Sequence, residues 1–232
     1  MKFQNHCIYV IFLILWLSFA GCSHHYSISG SVNEKTMQEG TLYLSVMSEY
    51  EQPQYIDSCS LEHGFFTFAG RVDSVMMGHL ALNGRVLMPI VIERGEMDVS
   101  LDVLGMGVYG GLLNVRLNEL FNELNKIQQE WSALNDKRLF LMANRLGGHK
   151  EFERILAIED SLNLRAEKLQ SDFIIENFDN VLGPGLFMMI CNKYPAPIMT
   201  PQLRGILNQA PNFFLEHPGV STFIQRVNYN IE

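Results

Sequence analysis

The period of the hydrophobic pattern changes once along this chain, near residue 105, and that change limits it to a sheet region followed by a helical region. In the first half apolar residues recur at every second position. Tyr26, Ile28 and Val32 alternate with Ser27, Ser29 and Ser31, and Leu42, Leu44 and Val46 with Tyr43 and Ser45. Phe66 and Phe68 share one face, with Phe65 and Thr67 on the other, and Met97, Val99 and Leu101 alternate with Asp98, Ser100 and Asp102. A period of two is that of a strand with one buried face. Tyr55–Cys59, Met76–Leu82 and Val86–Ile92 complete a set of seven strands, and the last, nearly all apolar, is expected at the centre of a sheet. Polar or Gly-containing turns separate them at Asn33–Gly40, Leu61–Gly64 and Arg94–Glu96. Seven short strands so spaced predict an antiparallel β-sandwich or open barrel over residues 26–104.

The stretch Gly105-Met106-Gly107-Val108-Tyr109-Gly110-Gly111 reads as a boundary loop with backbone freedom. It lacks the lysine and the spacing of a phosphate-binding loop. Beyond it, Leu113, Leu117, Leu120, Phe121, Leu124, Ile127, Trp131 and Leu134 recur at intervals of three and four, opposite Asn, Gln and Glu. A second helix is expected from about His149 to Asn177, with Phe152, Ile155, Leu156, Leu162, Leu169 and Phe173 as its apolar stripe, joined to the first through Gly147-Gly148 as an antiparallel hairpin. Leu186–Ile190 is apolar all round and expected to be buried. Thr200-Pro201 has the residues of an N-cap and first helical position, and His217-Pro218-Gly219 introduces a last short helix. The expected architecture is segregated β + α, with residues 112–232 helical.

The amino terminus bears on location. Lys2 precedes an apolar run from Ile8 to Leu17, and Phe19-Ala20-Gly21-Cys22 follows. The run is about half the roughly 20 residues a membrane-spanning helix needs. A cleaved signal over residues 1–21 is therefore expected rather than a retained anchor. Cys22 is the expected lipidation site, with residues 22–25 as anchor and tether and the membrane as partner through that lipid. Ser23, with no acidic run after it, suits an outer-membrane lipoprotein facing the periplasm. Removing residues 1–21 takes away only Lys2, so a net charge of -8 becomes -9. An acidic chain with dispersed cations is not expected to bind nucleic acid.

Several side chains are candidate sites. With Cys7 in the signal and Cys22 acylated, Cys59 and Cys191 remain, in a compartment that permits disulfides, and both a bridge and two separate thiols fit the sequence. His24-His25 reads as tether polarity, because no third metal ligand stands at a suitable spacing. Asp57-Ser58 with His63 lacks a nucleophile elbow, His63 and His79 read as turn or core-edge residues, and Glu93 and Glu96 read as solvated turn charges. Phe65 is expected to point away from the core. The methionines, among them Met76-Met77 and Met188-Met189, suit adaptable packing. No catalytic residues, cofactor or metal are expected.

Ile56-Asp57-Ser58-Cys59 followed by Gly64-Phe65-Phe66-Thr67-Phe68-Ala69-Gly70 resembles the signature of a domain of unknown function found N-terminal to the thioredoxin-like domain of thiol:disulfide interchange lipoproteins. Pro89–Val99, with Glu93, Gly95 and Glu96, resembles that module's strand-turn-strand. Gly111, Asn114 and Asn118 are similar to the point where its helices begin. Phe173–Asn177, with Asn180 and Gly183, is similar to its helix end. The resemblance implies an accessory module of the cell envelope. Fuller members carry a Cys-x-x-Cys pair, and this sequence has none, so the redox activity is not carried over. The expected function is non-catalytic binding, with an envelope protein as a possible partner. The alternatives are a redox accessory to a separate thioredoxin-like protein, using Cys59 or Cys191, and a structural envelope lipoprotein.

Overall fold

The structure is a computed structural model and describes residues 24–32, 39–47, 53–102 and 105–229. The signal, Cys7 and Cys22 lie outside the described residues. Eight strands are described: β1 (His25–Val32), β2 (Gly40–Met47), β3 (Pro53–Leu61), β4 (Phe65–Arg71), β5 (Met76–Leu82), β6 (Arg85–Ile92), β7 (Gly95–Asp102) and β8 (Gly105–Tyr109). They form two four-stranded sheets, ordered β4-β1-β7-β8 and β3-β2-β5-β6. The alternating residues of each inner face meet between the sheets, where Ile28, Leu42, Leu44, Leu80, Ile90, Ile92 and Val99 are fully buried and Phe68 and Met97 nearly so. This is the expected segregated β + α arrangement.

Four expectations need correction. Residues 105–109 are not a loop but the eighth strand, because Val108 alternates into the core opposite Val99. Only Gly110 and Gly111 make the boundary turn, both with positive φ. A Cβ at Gly110 would stand 2.4 Å from the Glu96 carbonyl oxygen. The sheets are not purely antiparallel, since β1 runs parallel to β7, pairing Tyr26 with Gly95 through Val32 with Leu101. β6 is an edge strand, not a central one. Its Pro89 suits an edge; it is apolar on both faces because Ile90 and Ile92 fill the sandwich while Val91 is buried beneath helices. Finally, His25 belongs to β1 rather than to a tether, and the His24 carbonyl accepts from Val72.

Six helices follow: α1 (Leu112–Ala143), α2 (His149–Glu176), α3 (Leu182–Cys191), α4 (Pro201–Leu207), α5 (Asn212–Leu215) and α6 (Pro218–Tyr229). Thr200 caps α4 by accepting from Leu203 N, with Pro201 in the first turn. Helices α3 to α6 pack on the lower parts of α1 and α2 around Leu120, Ile174, Phe187, Phe214, Val220 and Phe223. Val91, Leu117 and Leu182 join this helical base to the sandwich.

Above the base, α1 and α2 continue as a two-helix arm. The 32 residues of α1 extend about 48 Å. The α1 residues turned inward are Leu117, Leu120, Leu124, Ile127, Trp131, Leu134, Arg138 and Leu141, spaced alternately by three and four. On α2 they are Phe152, Ile155, Glu159, Leu162, Ala166, Leu169 and Phe173. That spacing is the heptad seam of an antiparallel coiled coil, and between Leu124 and Leu162 almost every residue off the seam is exposed. The arm buries one stripe and nothing more.

Candidate functional site

The most densely bonded polar cluster lies where α1 leaves the sandwich. Gly111 puts the helix start against Glu93, so close that a Cβ there would stand 2.3 Å from Oε1. The Glu93 carboxylate accepts from the backbone N–H of Leu113 (3.4 Å) and Asn114 (3.1 Å), two of the donors that the first turn of a helix leaves without a partner. Asn114, fully buried, then closes the edge of one sheet. Its Oδ1 accepts from Val91 N at 2.9 Å and its Nδ2 donates to Val91 O at 2.7 Å. One turn on, Asn118 does the same for the other sheet, accepting from Val108 N at 3.2 Å and donating to Val108 O. Two carboxamides at i and i+4 thus stand in for the missing neighbour strands of β6 and β8. An unpaired buried edge would leave backbone groups unsatisfied and invite pairing with other chains.

Other candidate residues are also held in structural bonds. Asp57 accepts from Ser58 N at 2.8 Å and from the Tyr26 hydroxyl at 3.0 Å. Burial and the neighbouring Asp57 push the Tyr26 hydroxyl up to about 12. His63 is exposed in the turn before β4 with a positive φ, and Phe65 beside it is exposed as expected. Glu96 is exposed while Glu93 turns to the helix, so the two carboxylates have different surroundings. His79, on β5, and His217, before α6, are both held below the usual imidazole range by burial. Cys59 is half-buried on β3 and Cys191 is buried at the end of α3, and no disulfide joins them. Burial pushes the Cys59 thiol up to about 11, which keeps it protonated and a poor nucleophile at neutral pH. Among the described residues no three His, Cys, Asp or Glu side chains converge as a metal site.

Two further features face solvent. A shallow groove of about 260 Å³ between α1 and α2 has Leu120, Leu169 and Phe173 as its floor and Arg116 with three glutamates at its rim. At the far end of the arm Leu139, Phe140, Met142 and Leu146 are 53–61% exposed, and on the outer face of α2 Leu156 and Leu164 are also exposed. Leu156, expected in the apolar stripe of the second helix, is exposed instead, because the seam runs through Ile155 and Glu159; the other five were not singled out in the sequence. The signal was present: all six fall off the heptad seam that Leu120, Leu124 and Ile127 define.

Against this geometry, one comparison gives a match. Residues 26–115 match the family model of a domain of unknown function (DUF4369). The matched segment takes in the whole sandwich and ends one residue past Asn114, so it includes the first of the two edge-closing carboxamides and not the arm. No curated protein matches, and no solved structure matches. No helix among the described residues is long and apolar enough to cross a membrane.

Proposed function

We propose that the protein is an envelope lipoprotein, acylated at Cys22 and facing the periplasm, that works by binding rather than by catalysis. The observation that carries the binding reading is the two-helix arm. Its single seam leaves Leu156 and Leu164 exposed on the outer face of α2, large apolar groups that a bound partner would cover. The polar groups of the sandwich are occupied in holding edges and helix ends together, so the sandwich serves as a base. Recognition by open strand edges is less suited to β6 and β8, whose edges Asn114 and Asn118 fill. The tether rests on the lipobox-like Phe19–Cys22, and the place beside a thiol:disulfide system on the resemblance of the sandwich motifs. The states of Cys59 and Cys191 favour a thiol-independent role within such a system.

The test is recovery of partners from native envelope with the lipidated chain, after free thiols have been alkylated. Leu156→Glu/Leu164→Glu is expected to lose the recovered envelope proteins at least tenfold, while Cys59→Ser/Cys191→Ser leaves them unchanged. Recovery of a thioredoxin-like protein as a mixed disulfide, abolished by Cys59→Ser, would replace this reading with a redox accessory.

A further inference from the structure

We infer that the end of the helical arm is an insertion site for an anionic lipid bilayer. The last full turn of α1 reads Leu139-Phe140-Leu141-Met142. At 100° per residue these four side chains point to all sides of the helix. Leu141 turns to the seam and is half-buried, while the other three are more than half exposed, and Leu146 adds a fourth exposed apolar group in the turn that follows. The three exposed side chains fan over the side of the helix away from the seam at its very end, and Leu146 extends them into the turn, so the end can sink apolar side first into the acyl boundary of a bilayer.

Charge selects which bilayer. Residues 139–150, the apolar turn and its flanks, carry Arg145 and Lys150 and no carboxylate, a local balance of +2. The whole chain stands at -8, which leaves -10 for the rest. Lys137 pairs with Glu151 at 2.5 Å and Arg138 approaches Glu159 at 3.6 Å, both below the apolar turn. Arg145 and Lys150 flank the turn itself, both exposed. Their long stems let the charged ends reach lipid phosphates while the apolar groups sit deeper. An acidic protein meets an anionic surface more favourably through such an end than through its acidic remainder.

The inference rests on the membrane-tethered reading for having a bilayer within reach, but its test is separate. Phe140→Trp is made in the lipidated chain, which is reconstituted in vesicles of phosphatidylcholine alone or with about one-third phosphatidylglycerol. Trp131 background is taken from the parent chain. The expected result is a blue-shifted emission at position 140, quenched by brominated acyl chains, in the phosphatidylglycerol vesicles only. Each cation near an anionic surface strengthens attachment about fivefold, so Arg145→Gln/Lys150→Gln should lower the inserted-to-free ratio roughly 25-fold. Added salt should act in the same direction. Leu146→Trp repeats the reading if the first variant folds poorly. A residue 140 that stays in water on phosphatidylglycerol vesicles would overturn the inference. So would insertion indifferent to lipid charge, or a blue shift without lipid that grows with protein concentration, which would make the occupant a second copy. Loss of envelope-protein capture through Leu156 and Leu164 would leave this result standing, so the two readings fail independently.

Discussion

The sandwich and the arm build their interiors in different ways. In the sandwich, buried Asn114 and half-buried Asn118 are bonded on both carboxamide atoms, and the core between the sheets is wholly apolar. In the arm the seam contains a charged pair, Arg138 and Glu159, with Glu159 Oε1 and Arg138 Nε buried and lacking hydrogen-bond partners. Both regions expose large apolar side chains, Phe65, Val86 and Tyr109 on the sandwich as well as Leu139 and Phe140 on the arm. What separates them is the core, which the sandwich fills from two sheets and the arm reduces to one stripe interrupted by a charged pair. The arm is accordingly the part expected to open at low free-energy cost, and the sandwich the part that unfolds only globally.

The strongest way to break this comparison is Asn114→Ala. It strands Val91 N–H and C=O at a buried edge and removes a partner of Glu93. Two backbone groups left without partners, at about 1–3 kcal/mol each, predict a loss of about 2–5 kcal/mol in urea unfolding. Phe140→Ala, a larger deletion at the arm's end, should stay within about 0.5 kcal/mol. If the two losses were equal, stability would not be divided as the burial suggests. A smaller effect sharpens the contrast within the arm. Arg138→Met/Glu159→Leu replaces an imperfectly paired charge set in the seam, and should leave the arm unchanged or more stable by up to about 2 kcal/mol, read by amide exchange across residues 124–162. Glu159→Leu alone keeps Arg138 half-buried without its carboxylate and should weaken the same amides.

How far this division could be read beforehand depends on what set each feature. Period-two alternation located β1, β2, β4 and β7, because each of those strands has one wet and one dry face, and β6 was found by its apolar run. β8 escaped because Gly105 and Gly107 give little side chain to alternate, leaving Val108 as its one buried apolar residue. The parallel pairing of β1 with β7 is set by chain routing between sheets, on which local pattern is silent. The apolar run of β6 looked central because a strand beneath helices and one between strands bury the same residues. Asn114 and Asn118 were noticed through resemblance alone; their spacing of four places them on one helix face, but only the sheet edges tell what that face meets. Glu159 was hidden in the other direction, since a charged residue at a heptad position reads as an interruption until Arg138 is found across from it.

The mildest contrast is in pH. His79 and His217 both sit outside the arm, one on β5 in the sandwich and one just before α6 in the helical base, and burial holds each below its unfolded value. A folded imidazole that resists protonation makes the unfolded chain the better proton acceptor between the two values. Stability is therefore whole above the unfolded pKa, near 6.5, and declines as pH falls below it toward the depressed folded values. Thermal unfolding at pH 7.5 and 5.5 should show the global transition moving down in acid, with His79→Gln removing part of the shift. Amide exchange in residues 137–154, corrected for intrinsic rates, should keep its protection across the same range. An acid shift that survived His79→Gln/His217→Gln intact would mean that the pH dependence resides elsewhere, and the burial of these two imidazoles would no longer distinguish the sandwich and helical base from the arm.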